Sequence, residues 1–598
     1  MKIDPVTLEV VRNRLDAIAQ EMQNTLVRCA FSTTLKEGGD CSCAMFSAKG
    51  EVIAQATANP THLTSFLPAV EHMLARYPAE TMQDGDVFMV NDPYGGGSHI
   101  PDIIVMVPIF AEGRVRAFGC ALGHMLDMGG KSAGSMITDA TEIFQEGLAL
   151  PICKFYDAGR MDEVIWRIIE RNVRVPKAVY GDIMALIAAG RTAAAHVSAL
   201  IDHYGLAAFE ALIPALMDHS ERLTRAAIEA IPDGAYEFVD WLDNDGIDLD
   251  RRIRIQVRIE VSGSEMHFDF TGSDPQCRGP ANLPPGGILA PVQFVVRALS
   301  GHEIPSNSGC FRPLRVTAPA RSIVAAERPA PVCIRYHTMK RIVDALLGAL
   351  ASVMPERIPA APYGSDLSDS WGIFVPETHE HMVFMDIFAG GTGAGSASDG
   401  VDHHSCDLGN SRNIPAEAVE LEYPIRVWSH KTRIDSGGAG RFRGGLGIER
   451  SLELLKGEAS ISARGDRHYS PPWGVNGGKP GARNAIVVAR RDGRREIVPG
   501  RVRLHLEAGD RLIGMTAGGG GNGAPWLRDP DAVLDDVIDG KVSRAKAAEL
   551  YGVVIGPDGT IDRVATAQRR ADLAKAGGGT EIDRGEVGLG LELELAAD

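Results

Sequence analysis

The 598-residue sequence has little cysteine, and what it has forms no framework. Its nine cysteines, an odd number, are spread from Cys29 to Cys406 without a single CxxC pair. That spacing argues against a disulfide scaffold or a structural zinc ribbon, and reduced thiols are the expectation. Long hydrophobic runs are also missing. The longest, Ile103–Phe110, falls far short of the ~20 residues a bilayer requires. After Met1-Lys2-Ile3-Asp4-Pro5 the chain turns amphipathic with no signal-peptide core, so a cytoplasmic protein without membrane association is expected. Positive charge is scarce. The 61 Lys and Arg stand against 78 Asp and Glu, and a formal net charge of −17 speaks against nucleic acid as a partner. No phosphate-binding loop is present: Gly477-Gly478-Lys479-Pro480 lacks both the spacing and the hydroxyl of a P-loop. Gly518–Gly521 and Asn522-Gly523 run into Ala524-Pro525-Trp526 instead of a helix, so close-packed β turns account for these glycines. No segment repeats at a fixed period.

What remains is a soluble composition, 44% hydrophobic and 23% charged, too long for one core. The fold class expected is mixed α/β (α+β) and multi-lobed. Residues 1–160 form an N-terminal α/β lobe bearing the functional site, 161–232 a helical segment and 233–360 an α/β middle lobe. Residues 361–528 form a β-rich lobe, and 529–598 a helical C-terminal segment whose end, Asp583–Asp598, frays. Apolar residues at threes and fours (Leu8, Val11, Leu15, Ile18, Met22, Leu26) predict a helix over Pro5–Phe31. Further helices are predicted over Pro68–Arg76, Val292–Leu299 and Met339–Val353. Strands are predicted over Cys41–Phe46, Glu51–Gln55 and, by alternation, within Tyr236–Phe270.

The most informative stretch runs from Asn91 through Gly95-Gly96-Gly97-Ser98-His99-Ile100-Pro101 to Asp102. It precedes two strand-like runs, Ile103–Phe110 and Val115–His124, joined by Ala111-Glu112-Gly113-Arg114, a hairpin signal. With the hairpin centred near Glu112-Gly113, positions summing to 225 face each other, and His124 falls opposite Pro101, between His99 and Asp102. Two imidazoles and a carboxylate then converge, a common catalytic set for zinc, manganese or iron(II). Either histidine alone is more economically read as a structural residue; it is their joint convergence that points to a metal. Asp40, in Glu37-Gly38-Gly39-Asp40-Cys41-Ser42-Cys43, is a further ligand or proton acceptor, with a turn-capping role as the alternative. Asp127 is placed as a proton acceptor or an imidazole partner. His62 either lines the same pocket or begins the following helix. Asp402-His403-His404 with Cys406 is read as a solvated loop, because neighbouring histidines on extended chain point apart.

These strings, with Phe268-Asp269-Phe270-Thr271-Gly272-Ser273, Asp435-Ser436-Gly437-Gly438, Arg443-Gly444-Gly445-Leu446-Gly447 and Gly518–Gly521, resemble the hydantoinase B/oxoprolinase family from Asp4 to Val553. The resemblance implies a chain that works with a hydantoinase A-like ATPase, holding a divalent metal at His99, Asp102 and His124 while ATP and Mg belong to the partner. It departs from the family pattern at Gly395-Ser396-Ala397, His403-His404 and Cys41. The function expected is that of one subunit in a hetero-oligomer. It would hydrolyse a small cyclic amide (hydantoin, 5-oxoproline or lactam) that the partner has phosphorylated, with Asp40 or Asp127 taking a proton. Rival expectations are an ATP-dependent ketone carboxylase subunit, a non-catalytic scaffold for the ATPase, and a stand-alone metallohydrolase.

Overall fold

Four β-sheets and the helices laid on them organise the described part of the chain, which in this computed structural model comprises residues 4–63, 65–301, 304–577 and 582–588. Asp4 caps the first helix, Pro5–Cys29, by accepting the Thr7 N–H, and the helix buries Leu15, Met22 and Leu26. The first sheet is antiparallel with seven strands. These are β1 (Cys41–Ser47), β2 (Val52–Gln55), β3 (Val87–Val90), β4 (Asp102–Ala111), β5 (Arg114–His124), β6 (Cys153–Asp157) and β7 (Arg160–Met161), in the order β2-β1-β5-β4-β3-β6-β7.

Both faces of this sheet are covered. Val105, Val107 and Ala121 belong to one core with the helices Pro5–Cys29 and Pro176–Tyr204. Ile104, Met106, Phe118 and Leu122 pack with Phe66, Val70 and Met73 of the helix Phe66–Arg76. Burial on two sides is why Ile103–Phe110 reads as an unbroken apolar run. The Pro176–Tyr204 helix is long and apolar enough to cross a bilayer, yet half of its most apolar stretch is buried. It lies on β4 and β5, where a Cβ on Gly119 would come within 2.8 Å of the Gly190 carbonyl oxygen. Only two glycines permit that approach.

The β4–β5 hairpin forms, with one correction. Glu112 and Gly113 both take positive φ (50° and 70°), the backbone a tight primed turn demands. Next to the turn, Phe110 faces Val115 and the positions sum to 225, as expected. Arg116 is then bulged out, and from Ile109–Ala117 to Asp102–His124 the sum is 226. His124 therefore lies opposite Asp102, not Pro101.

Three helices, Glu163–Asn172, Pro176–Tyr204 and Leu206–Glu229, lead to the second sheet. It has the order β11-β10-β9-β8, from β8 (Gly234–Leu242), β9 (Ile253–Ser262), β10 (Glu265–Asp269) and β11 (Leu314–Thr317). The helix expected over Met339–Val353 runs from Arg335 to Leu350, on β8 and β9. Its earlier start matters, because it brings Arg335 to the centre described below.

The C-terminal half holds two antiparallel sheets. One has the order β13-β12-β16-β19, from β12 (Leu367–Val375), β13 (Glu380–Phe388), β16 (Glu458–Arg464) and β19 (Arg501–Glu507). The other, β14-β15-β20-β17-β18, is made of β14 (Ile425–Thr432), β15 (Ile448–Leu454), β17 (Ala485–Ala489), β18 (Arg495–Val498) and β20 (Arg511–Met515). The Gly-rich segments pack main chain on main chain: a Cβ on Gly519 would stand 1.9 Å from the Thr392 carbonyl oxygen. The C-terminal segment is helical to Ala576. Asp583 and Gly474 exchange backbone hydrogen bonds of 2.9 and 3.0 Å, so the tail is tied down at its start; its end, from residue 589, lies outside the described residues.

Candidate metal centre

Three neighbouring strands set out the site as a row. Asp102 of β4 faces His124 of β5 across the hairpin. On the other side of β5, Cys41 pairs with Gly123, and one step on the His124 N–H donates to the Asp40 carbonyl at 3.1 Å. Carboxylate, imidazole and carboxylate thus stand side by side at one end of the sheet. His99 is added by the Gly loop. The Asn91 side chain anchors that loop, donating to the Ile100 and Leu148 carbonyls at 2.6 and 3.0 Å and accepting the Leu150 N–H at 2.6 Å. Gly96, at φ 103°, lies against Ala69 where a Cβ would come within 2.9 Å, so the turn requires glycine.

Three donor atoms converge. His99 Nε2 lies 3.0 Å from Asp102 Oδ1, His124 Nδ1 is 3.1 Å from that oxygen, and the two nitrogens are 3.1 Å apart. All three residues are buried, and they form a metal-competent group among the described residues. Protons alone do not satisfy this triangle. Burial and then the Arg335 guanidinium push His99 down to about 3, so its ring is neutral. Nδ1 of that ring lies 3.3 Å from the Cys333 carbonyl oxygen and donates to it, which leaves a lone pair on Nε2. Burial pushes Asp102 up, but the Arg335 guanidinium and the hydrogen bond to His124 help to outweigh it and hold the carboxyl well below its usual range, ionised. His99 thus meets the Cys333 carbonyl with one ring nitrogen and Asp102 Oδ1 at 3.0 Å with the other, and a neutral ring has a single N–H for the two oxygens. A cation resolves the conflict, and donors around one at bonds of about 2.0–2.2 Å stand about 2.9–3.5 Å apart. The residues fit a divalent metal.

Arg335, which sequence reasoning missed, fixes the carboxylate from behind: its Nη2 donates to Asp102 Oδ2 at 2.8 Å and also to Ser98 Oγ. Asp40 stands one step outside the triangle, with Oδ2 4.0 Å from His124 Nδ1. Its other oxygen accepts from Asn59 Nδ2 at 3.3 Å and lies 3.4 Å from His62 Nε2. His62 does line the pocket, and its Nδ1 meets Ser42 Oγ at 3.2 Å.

Asp127 is a correction. One of its oxygens accepts from Gly134 N and Arg174 Nη1 at 2.9 Å each; the other accepts from Gly129 N at 3.1 Å and Arg174 N at 2.7 Å. Its carboxylate is saturated by a turn and an arginine, and among the described residues it makes no hydrogen bond to either imidazole. Its work is to shape the loop after β5. Asp402 likewise accepts the Leu446 N–H and an Arg443 N–H, and His403 and His404 join no metal-competent group among the described residues. Cys43 is a buried strand residue whose thiol burial pushes far up.

The triangle opens into a cavity of about 70 Å³, lined by Asp40, His62, His99 and His124 together with Tyr336, Ser368, Met385 and Arg464. At 10–15 Å³ per water that is room for roughly five water-sized groups, the scale of a small ring.

The family model described as Hydantoinase B/oxoprolinase matches residues 4–525. The chain is 32% identical, over 95% of its length and 98% of the relative's, to a protein named as the B component of a putative D-/L-hydantoinase from a Pseudomonas species. It is similar to the solved ATP-dependent caprolactamase of Pseudomonas jessenii, at 30% identity and TM-score 0.87, covering 96% of this chain and all of that one. It shares its fold with an acetone carboxylase, at 21% identity and TM-score 0.89, over 96% of this chain and 83% of that one.

Proposed function

The chain belongs to the hydantoinase B/oxoprolinase family, and from that premise we propose that it is the metal-bearing subunit of a two-component, ATP-dependent hydrolase of small cyclic amides. The observation that carries the reading is the convergence of His99 Nε2, Asp102 Oδ1 and His124 Nδ1, buried and within 3.1 Å of one another. One of the relatives above is named as a single component of a hydantoinase and another as ATP-dependent, which supports a hetero-oligomer with an ATPase partner of hydantoinase A type.

His99, Asp102 and His124 would hold the divalent ion, of which zinc, manganese and iron(II) suit two imidazoles and a carboxylate. Bound there, it supplies Lewis acidity that lowers the pKa of water or polarises a carbonyl. An unstrained amide is a poor electrophile because resonance holds the C–N bond planar. Phosphorylation of the amide oxygen by the partner removes that resonance before this chain acts. Asp40 then takes a proton from the attacking water, with His62 and Asn59 orienting its carboxylate. The ring C–N bond breaks as that proton passes to nitrogen, and the acyl phosphate left behind loses phosphate to a second water. Cys333 holds the His99 ring through its Nδ1–H, and Arg335 keeps Asp102 ionised and in place.

The test is reconstitution. The chain with its ATPase partner is assayed for ATP-coupled opening of hydantoin, 5-oxoproline and a lactam, with and without bicarbonate. Hydrolysis of at least one ring without bicarbonate is expected; strict dependence on bicarbonate would mark a carboxylase instead.

A further inference from the structure

A buried arginine lining the cavity makes no ion pair among the described residues. Arg464, the last residue of β16, is 1% exposed and lines the same cavity as His99 and His124. Its hydrogen bonds go to neutral groups: Nε to Ser368 Oγ at 3.1 Å, Nη1 to Ser370 Oγ at 3.0 Å and to the Ser462 carbonyl at 3.4 Å. No carboxylate comes within ion-pairing distance among the described residues. The other buried arginines near the cavity are paired, Arg335 with Asp102 at 2.8 Å and Arg501 with Asp466 at 3.4 Å.

The register explains the isolation. Ser368 faces Arg464 directly across β12 and β16, and alternation places Ser368 and Ser370 on one face of β12 and Asp369 on the other. Asp369 instead sits opposite Asp386 of β13, which is paired with Arg450 at 2.6 Å. The serines hold the Arg464 fork in position, while Asp369, on the reverse face, acts on it only through space and makes no ion pair with it. Burial pushes the guanidinium down to about 10, so it still carries its charge at neutral pH.

A desolvated, charged fork with two neutral anchors and no acid paired to it is built to accept an oxyanion, since guanidinium matches carboxylate and phosphate geometry with paired donors. We propose that Arg464 is the anion-binding residue of this cavity, taking a phosphoryl or carboxylate group of the ligand while the other end of that ligand faces His99 and His124. The proposal rests on the cavity being the reacting site, but its test does not depend on turnover.

Inorganic phosphate and, separately, acetate are titrated calorimetrically into the full-length metal-loaded chain at constant ionic strength with chloride as the background anion. The titrations are repeated with R464M and R464K, with melting temperature and metal content recorded for each. Phosphate, acetate or both bind the native chain, and R464M weakens that binding at least tenfold while keeping its metal. Binding of phosphate alone assigns the subsite to a phosphoryl group, and of acetate alone to a substrate carboxylate. R464M melts at or above the native temperature, because a buried charge without a partner is removed; a merely structural arginine predicts a lower one. Should R464M not fold, R464K keeps the cation and loses the fork, and the weakening is read there. If neither anion binds, or if both variants bind as the native chain does, the proposal is overturned. A failure of metal binding or hydrolysis, with anion binding still lost in R464M, would overturn the functional reading and leave this one standing.

Discussion

Asp102 and His124 stand directly opposite each other because Arg116, eight residues before His124 on the same strand, is squeezed out of the β4–β5 ladder. Without that bulge the register would pair His124 with Pro101 and Asp102 with Gly123. A slip of one residue changes which side chains share a face, so the bulge decides whether carboxylate and imidazole meet.

Arg335→Met leaves Asp102 buried without its counter-charge. Losing one partner of a buried pair costs about 3–5 kcal/mol, and a divalent cation beside Asp102 offsets part of it. Urea unfolding with chelator is expected to show the full loss, and unfolding with saturating metal a smaller one. Equal losses in both would separate Arg335 from the metal site.

Asp40→Asn tests the proton acceptor. Metal content is expected to stay near the native level, since Asp40 Oδ2 lies 4.0 Å from His124 Nδ1 and outside the triangle. The turnover number is expected to fall about 10²–10⁴-fold. Loss of metal would make Asp40 a ligand; full turnover would remove it from the mechanism.

How much of the site is legible in the sequence depends on where the partners lie along it. His99, Asp102 and His124 are close along the chain, and Glu112-Gly113 announces its turn, so a local reading brings them together. The bulge carries no residue signature, because it is set by the twist and packing of strands that local alternation does not encode. The same proximity misplaces Asp127: three residues from His124, it is drawn off by Arg174, a residue of the following helical segment. Arg335 reaches Asp102 from 233 positions away at a helix start with no side-chain cap, so nothing near it in sequence flags it. Arg464 ends a strand and hydrogen-bonds to serine side chains of another strand nearly a hundred positions away, which gives no local pattern to find.

Glu146→Gln isolates a buried acid. Glu146 Oε1 accepts the Val332 and Cys333 N–H groups at 2.8 Å each, and Oε2 has no partner among the described residues. Burial, opposed only in part by those hydrogen bonds, lifts the carboxyl from 4.5 to about 8. The folded chain keeps a proton that the unfolded chain releases, so the stabilisation is full below about pH 4.5 and is lost as pH rises towards 8. Glutamine accepts the same bonds and does not titrate. Melts from pH 5 to 8 are expected to show the variant gaining on the native chain as pH rises, and parallel curves would contradict the assignment.

Gly519→Ala places a methyl 1.9 Å from the Thr392 carbonyl oxygen, where backbone meets backbone and no side chain can yield. Overpacking of this kind costs about 1–3 kcal/mol or more. A clearly lowered melting temperature is expected with the metal site unchanged, and a native melt would show that the Gly-rich crossing has slack.

The central claim is that two imidazoles and one carboxylate close on a cation, and elemental analysis of the purified full-length chain and of His99→Ala and His124→Ala tests it most directly. About one divalent metal per native chain is expected, with little in either variant although both remain folded by circular dichroism. A native chain that takes up no metal when it is supplied, or variants that retain a full complement, would contradict the account.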